Sequence, residues 1–200
     1  MSRLIESICI FNGEIRNLPE HQIRMNRARK ELFGLEDECS LQPIIQSELA
    51  KKNYGKGKFK CRILYQQEIE FMEILPYQIQ PLHSFRLVEA SEIDYSYKWE
   101  NRTSLIQLKN SVLEDEIILV KNGRITDTSY SNLVFFDGEN WITPAYPLLN
   151  GTMRQALLKQ KKITEEEINP KDLNRFFSFK LINAMMNLDE SPQLPVSIIV

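Results

Sequence analysis

The chain has 200 residues and a mass of 23.5 kDa, enough for one domain or two small ones and for burial of roughly 70% of the surface that the unfolded chain exposes. Hydrophobic residues at 42%, charged residues at 26%, and only 7 Gly and 9 Pro exclude a disordered, collagen-like or low-complexity chain. A formal charge of −2 and a pI near 5.8 exclude a whole-chain field that would gather nucleic acid or an anionic membrane, so any anion site must be local.

Residues 4–11 alternate well enough for a strand, and Asn12-Gly13 supplies the positive φ of a tight hairpin turn. Pro19 marks a helix start, Ile23, Ala28, Leu32 and Phe33 follow at near-helical spacing, and Gly34 is a stop signal. That helix carries His21, Arg24, Arg27, Arg29 and Lys30. A second helix is expected over 41–51, then strands over 59–67 and 68–75. Pro76, Pro81 and the stretch up to Tyr97 read as a crossover in which aromatic and apolar residues interleave with the prolines. Residues 100–113 have helical apolar spacing, 116–120 form a continuous buried-strand run, and Asn122-Gly123 is a hairpin turn. Strands follow at 132–136 and 140–144 around Asp137-Gly138, a helix at 152–162, a capped turn at 169–176, and closing strands at 176–182 and 195–200. The chemistry-free reading is an α+β chain of two units, 1–90 and 91–200.

Cys9, Cys39 and Cys61 form no CxxC pair, and two histidines complete no zinc cluster, so no metal is expected and a reducing cytoplasm fits best. No run of 18 apolar residues occurs, and residues 1–16 are too interrupted for a secretory signal, so no membrane partner is expected.

Three polar features admit a chemical reading. Residues 126–132 set one carboxylate, Asp127, among Thr126, Thr128, Ser129, Tyr130, Ser131 and Asn132 between two apolar strands: either a capped hairpin connection or an acid held beside a cationic nitrogen. Asn150-Gly151-Thr152-Met153-Arg154 is a Gly-led turn entering a helix, an ordinary helix start or a phosphate cradle that Arg24 could complete. For Arg24 the plain alternative is a solvated helix face. Lys98 lies between Tyr97 and Trp99, which either leave it solvated or strip its hydration as a covalent-catalysis lysine requires. An amine, an acid, a phosphate cradle and an arginine are together what pyridoxal phosphate needs from a protein. His21 and His83 read as structural or surface residues.

At these residues the chain resembles the class IV, fold type IV pyridoxal-phosphate enzymes, which include branched-chain and D-amino acid aminotransferases and 4-amino-4-deoxychorismate lyase. Ile5-Glu6-Ser7 resembles the family's Phe-Glu-Thr, and His21-Gln22-Ile23-Arg24 its His-x-x-Arg, whose arginine holds the cofactor phosphate. Lys98-Trp99-Glu100-Asn101-Arg102 is similar to the Lys-x-x-Asn-Arg of the lyase branch, whose lysine joins the cofactor covalently. Residues 127–132 align with Glu-Gly-Ser/Thr-x-x-Asn, so the resemblance gives Asp127 the pyridine nitrogen, one methylene shorter than the family's Glu, and sets Thr128 in place of Gly. Residues 149–155 resemble the Gly-Ile-Thr/Met-Arg element, in which Leu149 packs on the ring and the amides of Thr152 and Met153 hold phosphate. Asn183 falls near the phosphate, and Pro195-Val196 matches the family's last strand. The family's preceding Tyr-Gly segment has no counterpart here, which implies a shorter pocket wall.

The resemblance implies an α+β, two-domain fold of the D-amino acid aminotransferase type, a small N-terminal α/β sandwich followed by a C-terminal pseudo-barrel. It implies pyridoxal 5'-phosphate as cofactor, a small-molecule amine as substrate and a cytoplasmic homodimer. Within that family the expected activity is the folate-biosynthesis lyase reaction, releasing pyruvate and forming 4-aminobenzoate with Lys98 catalytic. An aminotransferase for D-amino or branched-chain amino acids and a catalytically idle interaction module are the alternatives.

Overall fold

Asn12 and Gly13 both take positive φ, 51° and 85°, and that pair of left-handed residues turns the chain back on itself in the first hairpin. The computed structural model describes residues 2–52 and 54–200 and divides into two compact units. The first comprises residues 1–79 and 97–101, the second 80–96 and 102–200. The boundary is therefore not the single cut near residue 90 that composition suggests: residues 97–101 return to the first unit because they pair with its first strand.

In the first unit, β1 (Leu4–Phe11), β2 (Glu14–Ile15), β3 (Lys58–Tyr65) and β4 (Ile69–Pro76) form a sheet in the order β2-β1-β3-β4. Helices α1 (Leu18–Phe33) and α2 (Leu41–Lys51) complete it. Alternation along β1 buries Leu4, Glu6, Ile8 and Ile10 on one face. The three hydrophobes join Met25, Ala28, Leu41, Ile45, Cys61 and Ile63 in the core. Full burial of each such aliphatic chain is worth about 1.5–3 kcal/mol. α1 has Pro19 in its first turn and ends at Gly34, φ 70°, whose N–H donates to Lys30 O at 3.0 Å. Its buried face is His21, Met25, Ala28 and Arg29, whereas Ile23 is 55% exposed. The expected apolar stripe is thus rotated, because polar side chains that find hydrogen-bond partners take the inner positions: Arg29 donates to Gln67 O and Asp37 O.

In the second unit, β5 (Phe85–Glu89), β6 (Glu116–Lys121), β7 (Arg124–Thr128), β8 (Asn132–Phe136), β9 (Trp141–Pro144) and β10 (Thr164–Glu166) are hydrogen-bonded in sequence across one sheet. β11 (Ser178–Ile182) pairs with β8 and with the two-residue β12 (Leu194–Pro195). α3 (Thr103–Asn110) and α4 (Thr152–Lys159) flank these strands in the chain. β6 is buried over Glu116–Val120, as its apolar run implies, and Phe85, Phe135 and Phe179 share the unit's aromatic core.

Three local readings are corrected. The crossover contains a strand, β5, which pairs in parallel with β6. The helix after residue 100 stops at Asn110, leaving Leu113 outside it and fully exposed. The C-terminal residues do not extend as a strand: Val196–Ile198 is a 3-10 turn that brings Val200 to β5, where Val200 N–H donates to Phe85 O and Leu87 N–H to Val200 O, both at 2.9 Å. Among the described residues no helix is long and apolar enough to cross a membrane.

Candidate functional site

The first unit concentrates charge beneath α1. Glu6 occupies the buried face of β1 at 0% exposure, and His21 and Arg24, one helical turn apart, reach down to it. His21 Nδ1 lies 2.6 Å from Glu6 Oε2, while Arg24 donates from Nε to Oε1 at 2.8 Å and from Nη2 to Oε2 at 2.5 Å. Burial alone would push the Glu6 carboxyl up. The Arg24 charge and the hydrogen bonds from His21 and Arg24 outweigh it and hold Glu6 at about 2. Burial pushes His21 down, and the charges of Arg24 and Lys98 add to that against the pull of Glu6. A neutral imidazole facing an ionised carboxylate must carry its proton on Nδ1, which makes Nε2 the acceptor nitrogen.

Lys98 stands at the apex of a three-residue turn closed by Trp99 N–H on Tyr97 O at 2.9 Å. β1 fastens this turn on both sides: Ile5 N–H donates to Lys98 O at 2.9 Å and Glu100 N–H to Arg3 O at 2.8 Å. Glu100 is itself gripped by Arg3 Nε at 2.7 Å and Arg62 Nη2 at 2.9 Å. Tyr97 and Trp99 pack against each other, with ring centroids 5.8 Å apart, and against the unit's core. They therefore anchor the turn in addition to flanking its amine.

In the second unit the polar segment after β7 folds around its own side chains. Thr128 Oγ1 accepts from Ser131 N–H at 3.0 Å, and Thr128 N–H donates to Ser131 O at 2.8 Å. Its hydroxyl, a cofactor contact in the resemblance, is thus engaged in shaping the turn. Glu116 accepts from Ser129 N–H and Ser129 Oγ, and Arg102 donates to Ser129 O.

Asp127, 4% exposed, accepts from Asn132 Nδ2 at 2.7 Å and from Leu149 N–H at 2.8 Å. Asn132 Nδ2 also donates to Leu149 O at 2.8 Å. The acid and the amide therefore grip both backbone groups of Leu149 just before α4. Burial pushes the Asp127 carboxyl up to about 7; the Leu149 and Asn132 hydrogen bonds and the Arg154 charge only moderate the rise.

The cap of α4 is Gly151, which supplies no side-chain cap. A Cβ at Gly151 would stand 2.0 Å from Asn132 Oδ1, so the close approach of these two segments demands glycine. Helix geometry leaves the first-turn N–H groups without intrahelical acceptors and gives that end positive potential. Thr152 and Met153, both buried, open this turn. Asn183 donates to Ser131 Oγ at 2.8 Å and accepts from Met185 N–H and Met186 N–H.

Within the first unit, then, the structure gathers Arg24 and the Lys98 turn around β1. Within the second it gathers Asp127 with Leu149, Thr128 with Asn183 through Ser131, and Thr152 with Met153 at the helix start. Sequence reading missed Glu6 and His21 as a working pair, although Glu6 sits at the buried parity of an alternating strand, which is a readable signal. Asn132 is visible in the polar cluster, but its grip on Leu149, 17 residues away, is not.

Three comparisons bear on this arrangement. The chain is 37% identical over 191 residues to an uncharacterised protein of Haemophilus influenzae, covering 94% of this chain and 100% of that one. A crystal structure from Haemophilus somnus 129pt, described as a putative 4-amino-4-deoxychorismate lyase, superposes with a TM-score of 0.88 at 36% identity, covering 94% of this chain and 98% of the other. A protein of Schizosaccharomyces pombe described as a putative aminodeoxychorismate lyase is 25% identical over 179 residues, 83% of this chain and 77% of that one. The model of the family "Amino-transferase class IV" matches residues 3–189. The chain belongs to the class IV aminotransferases, a family of pyridoxal-phosphate-dependent enzymes.

Proposed function

We propose that the chain is a pyridoxal-phosphate lyase of the 4-amino-4-deoxychorismate lyase type, which releases pyruvate and forms 4-aminobenzoate. The observation that carries this reading is Lys98 at the apex of a turn bolted to β1, inside Lys98-Trp99-Glu100-Asn101-Arg102. The likeness to the Haemophilus somnus protein over nearly the whole of both chains supports it.

The donor set suits a phosphorylated aldehyde with a basic ring nitrogen. Arg24 is a guanidinium pinned on one edge, the α4 start has no side-chain cap and tolerates no Cβ at Gly151, and Asp127 is an acid held in a nearly waterless setting. Arg24, Thr152, Met153 and Asn183 would hold the phosphate, Leu149 would pack on the ring, Asp127 would face the ring nitrogen, Thr128 would shape the turn beside it, and Lys98 would carry the aldehyde. When bound, pyridoxal phosphate supplies an electron sink for the carbon that bears the substrate's amine.

The chain's own residues do the rest. Lys98, displaced by the substrate amine, takes the proton from the amine-bearing carbon. Asp127 lends negative charge where the ring nitrogen gains a proton; each carboxylate oxygen retains a second lone pair beyond the hydrogen bonds it accepts from Asn132 and Leu149. Asn132 and Leu149 keep that acid from turning away. On the same resemblance we take the working species to be a cytoplasmic homodimer.

The test is a product assay. Purified protein loaded with pyridoxal phosphate and given 4-amino-4-deoxychorismate is expected to release pyruvate and 4-aminobenzoate in equal amounts, and Lys98→Ala to lose at least about 10²–10⁴ of that rate with the fold intact. Amine exchange between D-amino or branched-chain amino acids and 2-oxo acids, without 4-aminobenzoate, would replace the lyase by the transaminase. Activity retained by Lys98→Ala would end both.

A further inference from the structure

We propose that Glu6 is a positioning residue for phosphate recognition: from inside the first unit's core it fixes the guanidinium of Arg24 on one edge and the tautomer of His21, so that the arginine is set before its anion arrives. The inference rests on the reading of Arg24 as the phosphate arginine.

Glu6 breaks the apolar row Leu4, Ile8 and Ile10, all at 0% exposure. A carboxylate is tolerated there only with full pairing. Both of its oxygens are used, Oε1 by Arg24 Nε, and Oε2 by Arg24 Nη2 and His21 Nδ1. Two parallel hydrogen bonds from Nε and Nη2 fix both the plane and the direction of a guanidinium, which one contact would leave free to rotate. The nitrogen that Glu6 does not engage is Nη1.

The exposures agree with a group held from below and presented above: the Glu6 and His21 side chains are at 0%, that of Arg24 at 10%. With Glu6 ionised, His21 neutral and Arg24 charged, the trio has no net charge. Its contribution to anion binding is therefore the aim of N–H donors rather than a long-range field, which is the preorganisation that raises affinity by cutting ordering cost. A buried ion pair with a purely structural role would share the burial but would have no reason to discriminate between ligands with and without a phosphate.

That difference sets the experiment. Affinities for pyridoxal phosphate and for pyridoxal, which keeps the aldehyde and ring but lacks the phosphate, are measured by equilibrium dialysis for the full chain, Arg24→Ala, Glu6→Gln and Glu6→Asp. Circular dichroism and thermal unfolding establish that each variant is folded. The wild type is expected to prefer the phosphorylated form, and Glu6→Gln to lose on the order of 10- to 100-fold of that preference. Pyridoxal affinity should stay within about twofold, the ordinary scatter of a site left untouched. Glu6→Asp, which keeps the charge, is expected to recover part of the preference.

A folded Glu6→Gln with the wild-type preference overturns the inference while leaving Arg24 in place, provided Arg24→Ala loses it. A wild type with no more preference than Arg24→Ala overturns the reading of Arg24 itself. Should Glu6→Gln fail to fold, ¹⁵N NMR of the wild-type histidines decides the matter: protonation of His21 on Nδ1 upholds the geometry, and protonation on Nε2 alone overturns it.

Discussion

Glu6 in the first unit and Asp127 in the second are both removed from water, at 0% and 4% exposure, yet one is held at about 2 and the other at about 7. Burial raises both acids. What differs is the company: Glu6 meets a full guanidinium on two nitrogens and an imidazole, whereas Asp127 meets the neutral N–H groups of Leu149 and Asn132 with Arg154 as a lesser influence. A buried carboxylate stays ionised when a cation shares its site, and it becomes a proton carrier near neutrality when only dipoles do. The first arrangement suits a fixed scaffold for an anion-binding arginine; the second suits an acid whose charge answers to a basic ligand nitrogen.

The sharpest way to break the contrast is to delete Glu6. Glu6→Ala leaves Arg24 and His21 beside an apolar row with no counter-charge, and the loss expected is about 3–5 kcal/mol of unfolding free energy, read from urea denaturation. A loss below about 1 kcal/mol would mean that the trio is as loosely coupled as a surface ion pair. Next comes Gly151→Ala, which adds one methyl group where Asn132 Oδ1 lies at 2.0 Å. Asn132 cannot retreat cheaply, because its Nδ2 is committed to Asp127 and to Leu149 O. A cost of about 1–3 kcal/mol is expected, together with weakened cofactor binding. Unchanged thermal unfolding would show that the two segments do not meet so closely in solution.

Much of the scaffold behind this contrast is readable from residue order, and the exceptions share a cause. The turns at Asn12-Gly13 and Asn122-Gly123 announce themselves because positive φ at both positions is required and only such residues adopt it readily. β6 announces itself by the consecutive apolar residues Ile117, Ile118, Leu119 and Val120, all of them buried. β5 hides among prolines because its strand character comes from pairing with β6, about 30 residues on, rather than from its own pattern. The same holds for β10, whose Thr-Glu-Glu has little strand propensity and pairs in parallel with β9. At the candidate site, the polar cluster around Asp127 is visible as a cluster, but its chief partner, Leu149 N–H, is 22 residues away and is a backbone group with no side-chain signature. The Lys98 turn is likewise legible as a motif and illegible as a geometry, since its two fastenings to β1 are backbone hydrogen bonds.

The finest test of the comparison uses pH, because the two acids act on stability with opposite sign. Glu6 has a folded value of about 2 against 4.5 for the free side chain, so it binds its proton less readily when folded; its stabilisation is present above 4.5 and is lost as pH falls towards 2. Asp127 has a folded value of about 7 against 3.8, so the folded state holds the extra proton; its contribution is present below 3.8 and is lost as pH rises through 7. Each acid contributes a slope of at most about 1.4 kcal/mol per pH unit within its own window. Partly buried carboxylates such as Glu114 and Asp137 are lowered by their own partners and add to the acid limb, so Glu6 is read as the difference between wild type and Glu6→Gln. On the neutral side His21, which burial holds below 6.5, acts with the opposite sign, so Asp127 too is read as a difference: the urea midpoint of the cofactor-free wild type minus that of Asp127→Asn is expected to fall between pH 5 and 7. A difference that stays flat there would mean that Asp127 is ionised throughout and that the two units treat their buried acids alike.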